Sequence, residues 1–240
     1  MSKKIKIRIL ILGSVPHDLN IATIKNYSSD VFEICSEIET YDITIGSDGN
    51  NWEFFDQSLE ELIPEPEDED ITIALTNVPL EDNWYTRRLS NNVIIFTLQD
   101  ISDYLRFYNI PLENVVLRLL YSYSLVFKEY KNKIPTCREY GNFTHDETKG
   151  CIYDMNGIKS DIVYSCDNPM ICDSCTQRLY SNGVSRELVA SAAKELKNIR
   201  KPLFYRCSSW VAHHPICSIA IASVWSLLIS ILSSVIVTVL

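Results

Sequence analysis

The sequence has little positive charge and little glycine, and each shortage excludes a class of function. It contains 22 Lys and Arg against 31 Asp and Glu, which gives a formal net charge of −9. No nucleic-acid partner is expected, because a phosphate-binding surface needs a basic stripe. With seven glycines, the chain has neither a glycine-rich phosphate loop nor the G-x-S-x-G turn of serine hydrolases. The calcium-binding EF-hand spacing is also absent, so the acidic stretch Ser58–Asp70 is predicted to be a solvated loop.

Charged side chains are absent from Cys207 to Leu240. The apolar run within this stretch is long enough to cross a bilayer, because a helix rises about 1.5 Å per residue and needs roughly 20 apolar residues. We therefore expect a transmembrane helix over residues 216–240 and a protein anchored to the membrane by its tail. Basic residues precede this helix and none follows it, which predicts a single-pass protein with a cytoplasmic N-terminal domain. These basic residues are Lys194, Lys197, Arg200, Lys201 and Arg206.

Serines recur along the predicted transmembrane helix at steps of three and four residues, which places them on one helical face: Ser223, Ser226, Ser230 and Ser233. Small residues let transmembrane helices approach closely, and serine hydroxyls can hydrogen-bond across the contact. The pattern predicts a packing face and a homo-oligomer formed through it. The alternative is that each hydroxyl bonds back to its own helix.

Apolar strands alternate with helices through the rest of the chain. Strands are predicted at Ile5–Val15, Val31–Ile38, Asp70–Leu75 and Val93–Thr97. Helices are predicted at Leu19–Tyr27, Asn109–Lys131 and from Ser185 to about Ile199, with Ser185 as a cap. This alternation predicts an α/β fold: a single soluble domain with a mostly parallel sheet. Arg87 and Arg88 are expected in an exposed loop.

One cluster of residues has the spacing of a metal site. Cys172 and Cys175 form a C-x2-C knuckle, and His145 and Cys151 lie upstream with five residues between them. A structural zinc site takes four such ligands in a tetrahedron, so these residues predict one zinc per chain, with Cys166 as the substitute ligand if His145 points away. The zinc would staple a C-terminal lobe, residues 144–179. We expect domain boundaries of 1–184 for the α/β domain and 185–210 for a helix and basic juxtamembrane linker.

Two other uses of these residues stay open. The cysteines could be buried free thiols, which are common in protein cores. The C-x2-C spacing also occurs in thiol-redox motifs, but those usually open a helix directly after a strand, whereas this one follows Asn168 and Pro169. Disulfides are rare in the expected cytoplasmic compartment, which favours metal binding over cross-linking.

Several segments, in chain order, resemble archaemetzincins, the zinc peptidases whose catalytic HExxHxxGxxH motif is followed by a four-cysteine structural zinc site. The strand ILILGSV resembles their first strand, and Ile71–Asp100 resembles the strand and loop before their active-site helix. The helix Asn109–Lys131 takes the place of that helix. Gly150–Met155 resembles their cysteine-to-methionine turn, and Cys172–Cys175 resembles their closing knuckle. The resemblance extends over residues 5–180.

The departures from that family decide the expected function. No HExxH occurs, and the predicted helix at 109–131 contains no histidine. Metal-assisted hydrolysis needs three protein ligands around an open zinc and a general base. We therefore expect a catalytically inactive, zinc-binding pseudoenzyme that acts as a membrane-bound sensor, effector or interaction module. The alternatives are a divergent zinc-dependent hydrolase that uses His145, Asp146 and Glu147, and a tail-anchored adaptor without metal.

Overall fold

The computed structural model describes residues 3–139, 141–146 and 148–239, with side chains up to residue 236. The chain forms two compact units, Met1–Arg200 and Lys201–Leu240. The first unit contains the sheet and the cysteine cluster, and the second contains two helices. Glu147 and Leu240 lie outside the described residues.

The first unit is built on a six-stranded, mostly parallel sheet. Its strands are β1 (Ile5–Leu12), β2 (Phe32–Ile34), β3 (Glu39–Tyr41), β4 (Ile71–Thr76), β5 (Thr86–Arg88) and β6 (Val93–Thr97). The strand order is β2-β1-β4-β6-β5. The first part of β1, Ile5–Ile7, pairs with β2, and its last part, Leu10–Leu12, pairs with β3. Only β5 runs antiparallel to its neighbour, β6. The α/β fold class with a mostly parallel sheet is therefore confirmed.

Burial on both faces explains why the central strands read as continuous apolar runs. Every residue of β4 and β6 is buried, as expected for parallel strands covered by chain on both sides. One face of the sheet carries Ile7, Ile73 and Phe96 into the larger core, and the other carries Leu10 and Ala74 into a smaller one.

The described residues of the first unit form six α-helices: α1 (Ile21–Lys25), α2 (Asp56–Glu60), α3 (Ile101–Phe107), α4 (Leu112–Glu129), α5 (Asp173–Ser181) and α6 (Arg186–Leu196). The long helix α4 is buried almost all round, because it packs against the sheet and against α1, α3 and α6. Pro111 stands directly before it, and Ser185 caps α6 by accepting a hydrogen bond from the Leu188 amide at 3.2 Å. A 3-10 helix spans Lys159–Ser165.

The second unit consists of α7 (Leu203–His213) and α8 (Pro215–Val239). Within α8, Pro215–Ile236 is long and apolar enough to cross a membrane, with a mean hydropathy of 2.3. Its side chains up to Ile236 are exposed in this unit, except that of Ser218, which is partly exposed. The linker expected before the transmembrane helix contains α7, a second helix that the sequence reading did not include.

Candidate metal centre

Four side chains from two separate stretches of the chain converge in the C-terminal part of the first unit. His145, Cys151, Cys172 and Cys175 each offer a ligand atom, and these atoms lie within 4.8 Å of one another. Among the described residues, this is the one group of that kind that could hold a metal ion. Cys151 and Cys175 are buried, whereas His145 and Cys172 are partly exposed.

Backbone pairing brings the two stretches together. The His145 amide donates to the Tyr153 carbonyl, and the Met155 amide donates back to the His145 carbonyl. Next to Cys151, the Ile152 amide donates to the Met170 carbonyl, and the Met170 amide donates to the Gly150 carbonyl. Gly150 has a φ of +92°, a left-handed conformation that glycine adopts without strain. Cys151 is thereby fixed beside the strand-like segment that leads into the C-x2-C knuckle.

The ligand atoms have the spacing of a tetrahedral zinc shell. Zn–S and Zn–N bonds of about 2.3 and 2.0–2.1 Å require tetrahedral edges of about 3.8 Å between sulfurs and about 3.6 Å between sulfur and nitrogen. The Sγ atoms of Cys151 and Cys175 are 3.9 Å apart. The His145 Nε2 atom lies 3.4 Å from Cys151 Sγ and 3.5 Å from Cys172 Sγ. The residues present therefore fit a zinc ion, and the shell is complete without a water molecule.

The start of α5 adds a favourable field for thiolates. Cys172 is the residue that precedes the first turn of α5, and Cys175 lies within that turn. Backbone amides at a helix N-terminus stabilise negative charge, and thiolates are the form of cysteine that binds metal. The contact with the Cys175 thiol lowers the pKa of the Cys151 thiol, and the same contact raises the pKa of Cys175.

Arg178 links the cluster to the central helix, and the sequence reading missed it. Its Nη1 atom donates to the Phe143 carbonyl at 2.6 Å and to Cys175 Sγ at 3.5 Å. Its Nε atom forms a 2.9 Å ion pair with Glu129 at the end of α4. The guanidinium also lies 4.6 Å from the ring centre of Tyr153. The only signal in the sequence is that Arg178 lies three residues after Cys175, one turn further along the helix.

The remaining candidate residues lie apart from the four-residue group or at its edge. Cys166 is buried at the end of the 3-10 helix and is not part of the group, and burial raises the pKa of its thiol to about 12. Asp146 is exposed, and its carbonyl lies 3.2 Å from His145 Nδ1. In α8, the Ser223 hydroxyl donates to the Ile219 carbonyl of its own helix at 2.9 Å.

A cavity of about 270 Å³ opens beside the edge strand β5. The Arg88 guanidinium lies 4.8 Å from the ring centre of Phe143, which forms part of its wall. Arg87 and Arg88 do not lie in an exposed loop as expected, because both belong to β5 and are partly buried. Arg87 binds Asp56 through two hydrogen bonds of 2.7 Å. The cavity is lined by residues that include Trp84, Arg88, Tyr123, Cys137, Phe143 and Met155.

Fold and site together define an α/β protein with a His/Cys metal-binding group and an apolar helix able to span a membrane. No protein-family model matches the chain, and no curated protein matches it. Among solved structures, the fold is similar to the crystal structure of archaemetzincin from Methanopyrus kandleri. The match has a TM-score of 0.46 and 11% sequence identity, and it covers 75% of this chain and 95% of that chain.

Proposed function

We propose that this protein is a membrane-anchored, catalytically inactive relative of zinc peptidases whose zinc is structural and whose cytoplasmic domain recognises a ligand or partner. One observation carries the proposal: the four ligand atoms supply a complete tetrahedral shell. A catalytic zinc needs an open position for water, and a structural zinc does not. The absence of HExxH from the sequence supports the same conclusion.

The central helix also supports the loss of catalysis. It contains no histidine, and the side chains that it buries in the core include Leu119, Leu120 and Tyr121. The buried Arg118 donates to the carbonyls of Ile152 and Asp154, between the two stretches that supply ligands. These hydrogen bonds join α4 to the C-terminal lobe, and α4 contributes no residue to the four-residue metal group.

The cavity beside β5 supports a recognition role. Ligand sites are typically concave and apolar, with a few polar groups that fix orientation. Here Trp84, Tyr123 and Phe143 supply apolar wall, and Arg88 supplies a positive charge. The basic residues before α8 support a cytoplasmic orientation of the domain. Self-association through the serine face of α8 is part of the same proposal.

The experiment is elemental analysis of the full chain, purified in detergent without added metal. We expect one zinc per chain, and its loss in Cys172→Ser and in Cys175→Ser. Cys166→Ser is the matched control, because Cys166 is buried but lies outside the four-residue group. A metal content that survives both knuckle substitutions would contradict the structural site. A second zinc that exchanges readily with solvent would contradict the inactive state.

A further inference from the structure

Helix α7 has an apolar face that the membrane-anchor role of α8 does not explain. At 100° per residue, Leu203, Phe204, Cys207, Trp210 and Val211 fall within an arc of about 120°. The rest of the circumference carries the smaller or polar side chains Tyr205, Arg206, Ser208, Ser209, Ala212 and His213. This separation is that of an amphipathic helix.

The apolar face of α7 is open. Leu203 is 70% exposed, Phe204 74%, Trp210 45% and Val211 49%. Exposed apolar side chains on one contiguous face indicate a surface that another apolar phase covers. The composition of the face, with Trp, Phe and Leu opposite polar residues, is typical of helices that lie in a membrane interface.

The neighbouring residues identify the covering phase as lipid. Only His214 stands between α7 and α8, and its φ of −129° and ψ of 59° break the helix there. The start of α8 would lie at the bilayer surface, so α7 is held at the same surface. No acidic residue follows Glu195, whereas Lys197, Arg200, Lys201 and Arg206 are basic. This excess of positive charge complements anionic headgroups.

We infer that α7 lies in the headgroup region of an anionic membrane. Its apolar face, which carries Leu203, Phe204, Cys207, Trp210 and Val211, is directed toward the acyl chains, and its polar face, which includes Arg206 and His213, is directed toward water. This inference rests on the proposed membrane anchor, because it assumes that α8 spans the bilayer. It adds a second membrane contact, parallel to the surface, which limits the orientations available to the residues just before α8.

Spin labels on the full chain test the inference. In a background with Cys35, Cys137, Cys207 and Cys217 replaced by serine, single cysteines are labelled with a nitroxide. The chain is then reconstituted in vesicles of phosphatidylcholine and phosphatidylglycerol. Labels at Cys207, restored singly in this background, and at Val211→Cys report the apolar face, and Ser208→Cys and Ala212→Cys are matched controls on the polar face. Collision with oxygen, which dissolves in lipid, is compared with collision with a water-soluble nickel complex.

We expect the oxygen-to-nickel collision ratio to be several-fold higher at positions 207 and 211 than at 208 and 212. Equal ratios on the two faces would place α7 in water and overturn the inference. Loss of both kinds of collision at 207 and 211 would mean that protein covers the face, which also overturns it. A label at Val224→Cys in α8 separates the two proposals. If this label is nickel-accessible, the membrane anchor itself fails; if it is oxygen-rich, a negative result on α7 refutes only the interfacial helix.

Discussion

Replacing Glu129 with Gln should destabilise the first unit by removing the charge that anchors Arg178. The Glu129 side chain is 1% exposed, and its Oε1 atom accepts hydrogen bonds from Arg178 Nε at 2.9 Å and from Asn182 Nδ2 at 2.8 Å. Glutamine keeps the shape and one acceptor but not the charge. Arg178 would remain beside Tyr153 and Cys175 without its counter-ion.

The size of the effect follows from the burial of the pair. Breaking a buried ion pair by removing one partner costs about 3–5 kcal/mol. The Arg178 side chain is 21% exposed, so water relieves part of the cost, and we expect about 2–3 kcal/mol. For a domain of this size, 1 kcal/mol corresponds to roughly 2–4 °C, so the Tm should fall by about 4–12 °C.

Thermal unfolding of the full chain in detergent, followed by far-ultraviolet circular dichroism at fixed zinc concentration, measures this fall. Glu139→Gln is the matched control. It removes the same charge from an exposed ion pair with Lys133, whose side chains are 46% and 64% exposed. Exposed pairs contribute little, so the control should not shift the transition measurably. If Glu129→Gln shifts the Tm no more than the control, the buried pair does not anchor the metal lobe.

Two further predictions concern stability at acid pH and self-association through α8. A hydrogen bond from the Arg106 side chain lowers the pKa of Asp18 to about 2. Because this pKa is depressed, the ion pair should stabilise the fold above about pH 4 and lose its contribution as the pH falls to about 2; Asp18→Asn should flatten the pH dependence of Tm there and nowhere else. In α8, replacing both Ser226 and Ser230 with Ile should lower self-association in vesicles measured by energy transfer, whereas Ala220→Ile, about 100° round the helix from the midpoint of the two serines, should not. An unchanged transfer efficiency in the double variant would exclude self-association through the serine face of α8.

Strong local patterns predicted the central elements of the fold from the sequence. The strand Val93–Thr97 has the predicted bounds: Asn91 and Asn92 precede its five buried apolar or β-branched residues, and Gln99 and Asp100 follow shortly after it. The helix predicted at 109–131 forms at Leu112–Glu129, and Ser185 is the cap that the sequence indicates. In each case a single stretch of chain contains both the apolar pattern of the element and the residues that mark where the element begins or ends.

The elements that the sequence reading missed lack such local signals. Helix α3 buries Ile101, Ser102 and Leu105 in fewer than two turns, which is too short for a helical period to show. Helix α5 buries only Cys175 and Leu179, so its sequence reads as a metal knuckle with no apolar stripe. The sequence predicts an exposed loop at Arg87, because its ion-pair partner, Asp56, lies far away in sequence.

The ligand residues of the candidate site could be predicted from the sequence, but the residues that hold them in place could not. Four ligand residues with metal-site spacing can be read from the sequence, and the same four ligand atoms lie within 4.8 Å of one another. Cys166, which the sequence allows as the substitute ligand, lies at the end of the 3-10 helix and is not part of the group. The sequence does not indicate that Arg178 and Glu129 tie the group to α4.

The metal group matters most where regular structure is scarce. Between Glu129 and Asp173 the described residues form one 3-10 helix and no strand beyond isolated bridges. A segment of this kind has few backbone hydrogen bonds to offset its conformational entropy, which is about 1–2 kcal/mol per ordered residue. Metal binding supplies folding free energy directly, because the ligands are brought together only in the folded state. In the described residues, the Arg178–Glu129 ion pair and the Arg118 hydrogen bonds to the carbonyls of Ile152 and Asp154 hold the lobe to α4, whereas a metal ion would join the two stretches that supply the ligands to each other.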